Sequence, residues 1–149
     1  MTKTLIASVH INASPDQVWA VLSDFERYPD WNPFILSATG TPLPGARLVL
    51  RMQPVGASAT TVRPRLVEAT AGHRLRWLGR LGLPGVFDAE HEFTLRSEGS
   101  GTMLVQQEVF RGVLVPLFSR MLSRTTLPAF IAMNEALKEK IEEQAASRV

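Results

Sequence analysis

The middle of the chain is cut into pieces so short that only one kind of sheet can be built from them. Six segments rich in alternating or β-favouring residues, near 34–40, 45–53, 60–70, 73–80, 86–96 and 102–112, are separated by turn residues such as Pro44-Gly45, Ala71-Gly72, Pro84-Gly85 and Glu98-Gly99-Ser100-Gly101. A parallel strand pair needs a crossover of roughly a dozen residues or more, so these connections imply antiparallel hairpins. Ahead of them, Leu5, Ala7, Val9 and Ile11 alternate with Thr4, Ser8, His10 and Asn12, which predicts a first strand over 3–12 with His10 turned to solvent. Ser14-Pro15-Asp16-Gln17 has the form of a capping box with proline at the first helical position. It starts a helix that runs through Val18, Trp19, Val21 and Leu22 to about Asp24, with a further short turn over Phe25–Tyr28 before Pro29 and Pro33.

From Pro116 to about Ala146 the periodicity changes to three and four, through Phe118, Met121, Leu122, Phe130, Met133, Leu137 and Ile141. Pro128 lies inside this stretch, where a proline removes a helical hydrogen bond and costs about 3 kcal/mol, which predicts a break around Thr125 to Pro128. Strand, short helices, six strands and a long helix make an α+β chain, a single domain over 1–149 whose helices gather on one face of an antiparallel sheet.

With 45% apolar residues in 149, such a core needs no covalent staple. The absence of cysteine removes thiolate zinc sites, iron–sulfur ligation and thiol nucleophiles from consideration. The three histidines, His10, His73 and His91, show no metal-ligand spacing, so neither a metal nor another cofactor is expected. No serine sits in a nucleophile elbow and no glycine-rich loop opens a helix. Apolar runs are far too short to span a bilayer, and Met-Thr-Lys-Thr-Leu does not begin a secretory leader, so a cytoplasmic protein without stable membrane insertion is expected.

Sixteen Lys and Arg against fourteen Asp and Glu give a net charge of +2, which does not mark a nucleic-acid binder, and no nucleic-acid partner is expected. The charge is uneven, with seven arginines but one acid, Glu68, between Arg47 and Arg80. Arginines that alternate with Leu48, Leu50, Met52, Leu75 and Trp77 fit the wet face of strands; the competing reading is a site for RNA, the ribosome or lipid headgroups.

Val9 to Phe34, VHINASPDQVWAVLSDFERYPDWNPF, closely resembles the opening of the START-like helix-grip (SRPBCC) superfamily, in particular its polyketide cyclase/dehydrase-like branch. Later pieces agree in order: Leu75-Arg76-Trp77, His91-Glu92-Phe93-Thr94-Leu95, Glu108-Val109-Phe110-Arg111-Gly112 and Met133-Asn134-Glu135-Ala136-Leu137-Lys138. Pro128 departs from the pattern, where an ordinary helix residue is expected. The resemblance implies a curved seven-stranded antiparallel sheet gripping the long C-terminal helix, two short helices between strands 1 and 2, and an apolar cavity for a lipid-, polyketide- or aromatic-like molecule.

Alternation places Phe87, Ala89, His91, Phe93 and Leu95 on one inward face. For 102–112 the pattern favours Met103, Val105, Gln107 and Val109 as the inner face, whereas the resemblance favours Leu104, Gln106, Glu108 and Phe110. A four-residue turn between the strands sets Leu95 opposite Leu104, Phe93 opposite Gln106 and His91 opposite Glu108. His91 and Glu108, with Gln106 beside them, then form a polar end to an apolar pocket, able to bind a ligand carbonyl or hydroxyl or to act as acid and base. A self-satisfied buried pair is the structural alternative. Trp77 is the aromatic best placed to line a cavity, Trp31 is placed at its entrance, and Phe34, Leu50, Met52, Phe87, Phe93, Phe110, Met121, Phe130 and Met133 complete the expected lining.

Three functions follow as expectations. The first is binding or carriage of a hydrophobic small molecule by a monomer or homodimer. The second is a cofactor-free cyclase or dehydratase using His91 and Glu108. The third is a protein or RNA interaction module using the arginine-rich face.

Overall fold

The computed structural model describes residues 1–147. Strand β1 (Thr2–Ile11) leads into helix α1 (Pro15–Leu22). The Ser14 hydroxyl accepts from Gln17 N and Gln17 Oε1 accepts from Ser14 N, closing the capping box. A 3-10 turn (Phe25–Asp30) precedes β2 (Ile35–Thr39), β3 (Val49–Met52), β4 (Thr60–Val62), β5 (Arg65–Thr70), β6 (Arg74–Leu81), β7 (Phe87–Glu98) and β8 (Gly101–Arg111). Every strand pair is antiparallel, in the orders β1-β8-β7-β6-β5 and β2-β3-β4.

The expected strand 60–70 is broken at Pro64, which has no N–H for a ladder. Its two halves, β4 and β5, pair with β3 and β6, and an Arg47–Arg65 bridge joins the two sheets between them. Taken as one interrupted strand, they complete the seven of a helix-grip sheet.

The inner face of β8 is Leu104, Gln106, Glu108 and Phe110, all buried, so the face carrying more polar atoms is the one that turns inward. Apolar alternation picked the wrong face because Met103, Val105 and Val109 are only partly covered. The register between β7 and β8 pairs His91 with Glu108, Phe93 with Gln106 and Leu95 with Leu104.

Helix α2 (Val115–Met121) passes into α3 (Leu127–Ala146) through a π turn, Leu122–Thr126. The interruption foreseen at Thr125 to Pro128 is therefore a widened turn and not a stop. The chain keeps right-handed helical dihedrals at Met121, Leu122, Thr126 and Leu127, and the π turn brings Pro128 into the first turn of α3, where its missing N–H is tolerated. On α3, Phe130, Met133, Asn134, Leu137 and Ile141 face the sheet and are buried. Each Leu or Phe covered this way contributes about 1.5–3 kcal/mol.

On the outer face, Arg74, Arg76 and Arg80 of β6 lie 3.5–3.9 Å from Glu68, Glu90, Glu92 or Asp88 on the flanking strands. Three of the seven arginines counted along the chain are thus paired across it, while Arg47 and Arg65 bond to backbone carbonyls and Arg51 to Thr61. Among the described residues no helix is long and apolar enough to cross a membrane.

Candidate functional site

A cavity of about 510 Å³ lies between the inner face of β6–β8, the small sheet and the π turn. Its size falls in the range of pockets that enclose a small molecule. Trp77, Gly79 and Leu81 of β6, Phe87 and Ala89 of β7, and Glu108 and Phe110 of β8 form one wall, a consequence of the two-residue period that sends alternate side chains inward. Phe34, Met52 and Pro54 face it, and Thr60 to Pro64 border it where the two sheets part. Thr126, buried at the end of the π turn, closes the inner side.

Glu108 is the one carboxylate among these lining residues and is 7% exposed. Behind it a chain of polar side chains runs away from the cavity toward α3. His91 Nδ1 lies 3.3 Å from Glu108 Oε2, His91 Nε2 lies 3.0 Å from Gln106 Oε1, and Gln106 Nε2 donates to Asn134 Oδ1 (2.7 Å) and to Phe130 O (3.3 Å). The backbone carbonyl of Phe130 is an acceptor and nothing else, so it fixes which end of the Gln106 amide is nitrogen. The other end, an oxygen, then requires the proton of His91 on Nε2.

The lone pair of Nδ1 in that tautomer faces Glu108. Nδ1 makes no hydrogen bond as the side chains stand, although Glu108 Oε2 lies 3.3 Å away.

His91 itself is fully buried and enclosed by rings: it stacks on Trp77 at 4.9 Å and 16°, and meets Phe93 at 4.9 Å and Phe130 edge-on at 5.0 Å. Trp77 stands on the cavity wall while His91 does not, so only Glu108 of the pair faces the free space. The aromatic cage holds the imidazole in one orientation and excludes water from it.

The expected residues divide accordingly. Phe34, Met52, Trp77, Phe87, Glu108 and Phe110 line the cavity. His91, Gln106, Phe93, Phe130, Met133 and Leu50 are buried behind the wall, where they hold it in place. Trp31 does not stand at the cavity but packs at 5.2 Å on Tyr28 beneath the 3-10 turn, because the turn rolls its ring into an aromatic cluster with Phe25. Met121 is 50% exposed: Val115, Phe118 and Leu122 take the inward edge of α2 and its π turn at i, i+3 and i+7, which leaves Met121 beside that edge.

Asn134 and Thr126 were not foreseen. Asn134 is a polar residue on an apolar helical stripe, a signal the sequence does carry; Thr126 depends on the π turn and left none. Among the described residues no three His, Asp or Glu side chains converge as metal ligands.

The sheet-and-helix frame recurs in solved structures. The chain superimposes on the Zhui aromatase/cyclase from a Streptomyces species with a TM-score of 0.78 at 17% identity, covering 97% of this chain and 96% of that one. A START superfamily protein from Mycobacterium smegmatis gives a TM-score of 0.70 at 20% identity, with 95% and 98% covered. For the di-domain ARO/CYC StfQ from the steffimycin biosynthetic pathway the TM-score is 0.78 at 12% identity over 98% of this chain, which spans about half, 53%, of that one. At these identities the likeness concerns the fold. No curated protein matches the sequence. The sequence does match a family model over residues 3–142, and by that match the chain belongs to the polyketide cyclase/dehydrase and lipid transport family.

Proposed function

We propose that the chain binds a hydrophobic small molecule that carries a hydrogen-bonding oxygen, with its apolar body against Trp77, Phe87 and Phe110 and the oxygen at Glu108. The observation that carries this reading is the cavity of about 510 Å³ whose lining is mostly apolar and includes one carboxyl group, that of Glu108, together with Arg63 and Arg80. Burying apolar ligand surface supplies the affinity, at roughly 25 cal/mol per Å², and the carboxyl sets orientation because a ligand without a partner for it leaves a polar group unpaired. Titration with an environment-sensitive naphthalene probe, read also through tryptophan fluorescence in the wild type and in Trp77→Phe, tests it. Saturable uptake that Glu108→Leu weakens supports the proposal, and a protein that takes up no apolar compound in that titration or in native mass spectrometry ends it.

A second reading, a cyclase or dehydratase, draws on the 3.3 Å approach of His91 Nδ1 to Glu108. Glu108 would exchange a proton with a bound carbonyl or hydroxyl, and His91, held by Gln106, would take up or return it from behind the wall. The Streptomyces neighbour is an aromatase/cyclase, which makes a polyketide-like substrate the first to try. This reading requires a rate that depends on pH in a bell and is lost in both Glu108→Gln and His91→Phe. Binding without turnover by the wild type would leave the carrier alone.

A further inference from the structure

A group of exposed apolar side chains lies where the tip of the β6–β7 hairpin meets the start of α2. Val113 N donates to Gly85 O (3.0 Å) and Leu114 N to Val86 O (3.1 Å), so the two segments form one surface. On it Leu83, Val113 and Leu117 are 76%, 74% and 75% exposed and Met121 is 50% exposed. Single exposed leucines are ordinary, but a contiguous group of this kind marks a contact site.

The basic residues of the same face say what it contacts. Counting from Leu117, Arg120, Met121 and Arg124 follow at i+3, i+4 and i+7, and all four are exposed while Val115 and Leu122 face the core. The outward side of α2 and its π turn is thus apolar and cationic together. From Gly112 to Asn134 the chain has no Asp or Glu. Among the described residues no carboxylate lies within ion-pairing distance of Arg120 or Arg124. The acid closest in sequence to the hairpin tip, Asp88, is already held by Gly85 N–H and Arg80.

A second copy of the chain placed on this face about a two-fold axis would bring arginines toward arginines, which disfavours self-association. A nucleic acid would find guanidinium groups but aliphatic tips in place of aromatic stacking platforms. An anionic bilayer meets both features, with leucine, valine and methionine entering the acyl boundary and the arginines at the phosphates.

We propose that this end, formed by the β6–β7 tip and α2, docks on anionic phospholipid surfaces. Leu81 and Phe87, which flank the tip, and Thr126, which ends the π turn, all line the cavity, so docking sets the cavity against the lipid. The proposal goes beyond the identity of the cavity's ligand, and its test needs none.

The test is flotation of the purified protein with phosphatidylcholine vesicles, with and without phosphatidylserine, across a salt series. The expected result is flotation with the phosphatidylserine vesicles alone, reversed by high salt. Arg120→Gln with Arg124→Gln weakens partitioning roughly 25-fold, about fivefold per arginine. Leu83→Ser with Leu117→Ser weakens it roughly tenfold or more. These side chains are exposed, so an unchanged thermal midpoint confirms that the variants are folded. Failure of the wild type to float, or equal flotation of wild type and both double variants, overturns the proposal. A dimer in sedimentation that Leu117→Ser dissolves, with no vesicle binding, also overturns it and assigns the face to a second copy.

Discussion

Replacing Gln106 with Leu tests the polar chain behind Glu108 with little change of side-chain volume. The shape is nearly conserved, so a cavity term is small, and what is lost is hydrogen bonding. His91 Nε2–H loses the oxygen at 3.0 Å and Asn134 Oδ1 loses the donor at 2.7 Å, both in buried surroundings. Phe130 O lies inside α3 and keeps its helical acceptor role. Two orphaned groups at about 1–3 kcal/mol each give about 2–6 kcal/mol, and the gain from burying a leucine in place of an amide brings the expected loss to about 2–4 kcal/mol. That is a large part of the 5–15 kcal/mol or so that holds a typical domain together.

Urea unfolding at neutral pH reads the loss. It is best read as a cycle with Asn134→Leu, because the Gln106–Asn134 partners are removed together in the double variant and the two costs then fall short of additivity by about 1–2 kcal/mol. In the wild type, nitrogen NMR of the His91 ring should find the proton of the neutral ring on Nε2. A Gln106→Leu cost below about 1 kcal/mol, additivity within about 0.5 kcal/mol, or a neutral ring protonated on Nδ1 instead would refute the assignment of the chain.

Other consequences are as direct. Ala89 faces the cavity, so Ala89→Phe fills free space and should lower probe affinity roughly tenfold or more with a change in stability of less than about 1 kcal/mol; unchanged affinity would place the ligand elsewhere. Tyr28 is fully buried and donates to Leu22 O, and burial first, then the charge of Asp24, pushes its hydroxyl above its ordinary pKa of 10.0. The fold therefore prefers the neutral phenol, and the stability tied to this group is whole below pH 10.0 and falls as pH rises above it. Tyr28→Phe should cost about 1 kcal/mol at neutral pH and flatten that alkaline limb in denaturant titrations; an alkaline limb of the same slope would contradict it. Glu142 accepts from Asn12 N (2.9 Å) and pairs with Lys138 (2.6 Å), and these contacts, the backbone one first, lower its pKa from 4.5. Its contribution is present above pH 4.5 and is lost as pH falls further, so Glu142→Gln should lower stability at neutral pH and shallow the acid limb of the melting profile.

How much of this was legible in the sequence depended on whether the signal was local. The Ser14 capping box, the hairpin turns and the β7–β8 register depend only on neighbouring residues and are legible in the sequence. The inner face of β8 needed knowledge of what lies across from it. By hydrophobicity alone Gln106 and Glu108 belong outside; Gln106 lies inside bonded to His91 on β7 and Asn134 on α3, and Glu108 lies inside on the cavity wall, 3.3 Å from His91. Alternation scores one strand at a time, whereas the free energy belongs to the pair, and a buried polar group costs little once its partners are also buried. The charge count misread distance in the same way: Arg74, Arg76 and Arg80 seemed nearly unopposed along the chain, while Asp88, Glu90 and Glu92 stood one strand away.

Pro128 marks a third case. A proline in a helical pattern reads as a stop, yet one π turn lets α2 and α3 continue with the same hand, and that turn carries Thr126 into the cavity. The break and the cavity therefore meet at one place, since the π turn just before Pro128 ends on Thr126, a lining residue. Restoring a regular helix with Pro128→Ala should favour an ordinary turn over 122–126 and rotate Thr126 relative to Glu108. If hydrogen exchange across that segment slows while probe affinity changes, the link holds; if affinity stays fixed as the turn becomes regular, Thr126 has no part in the site.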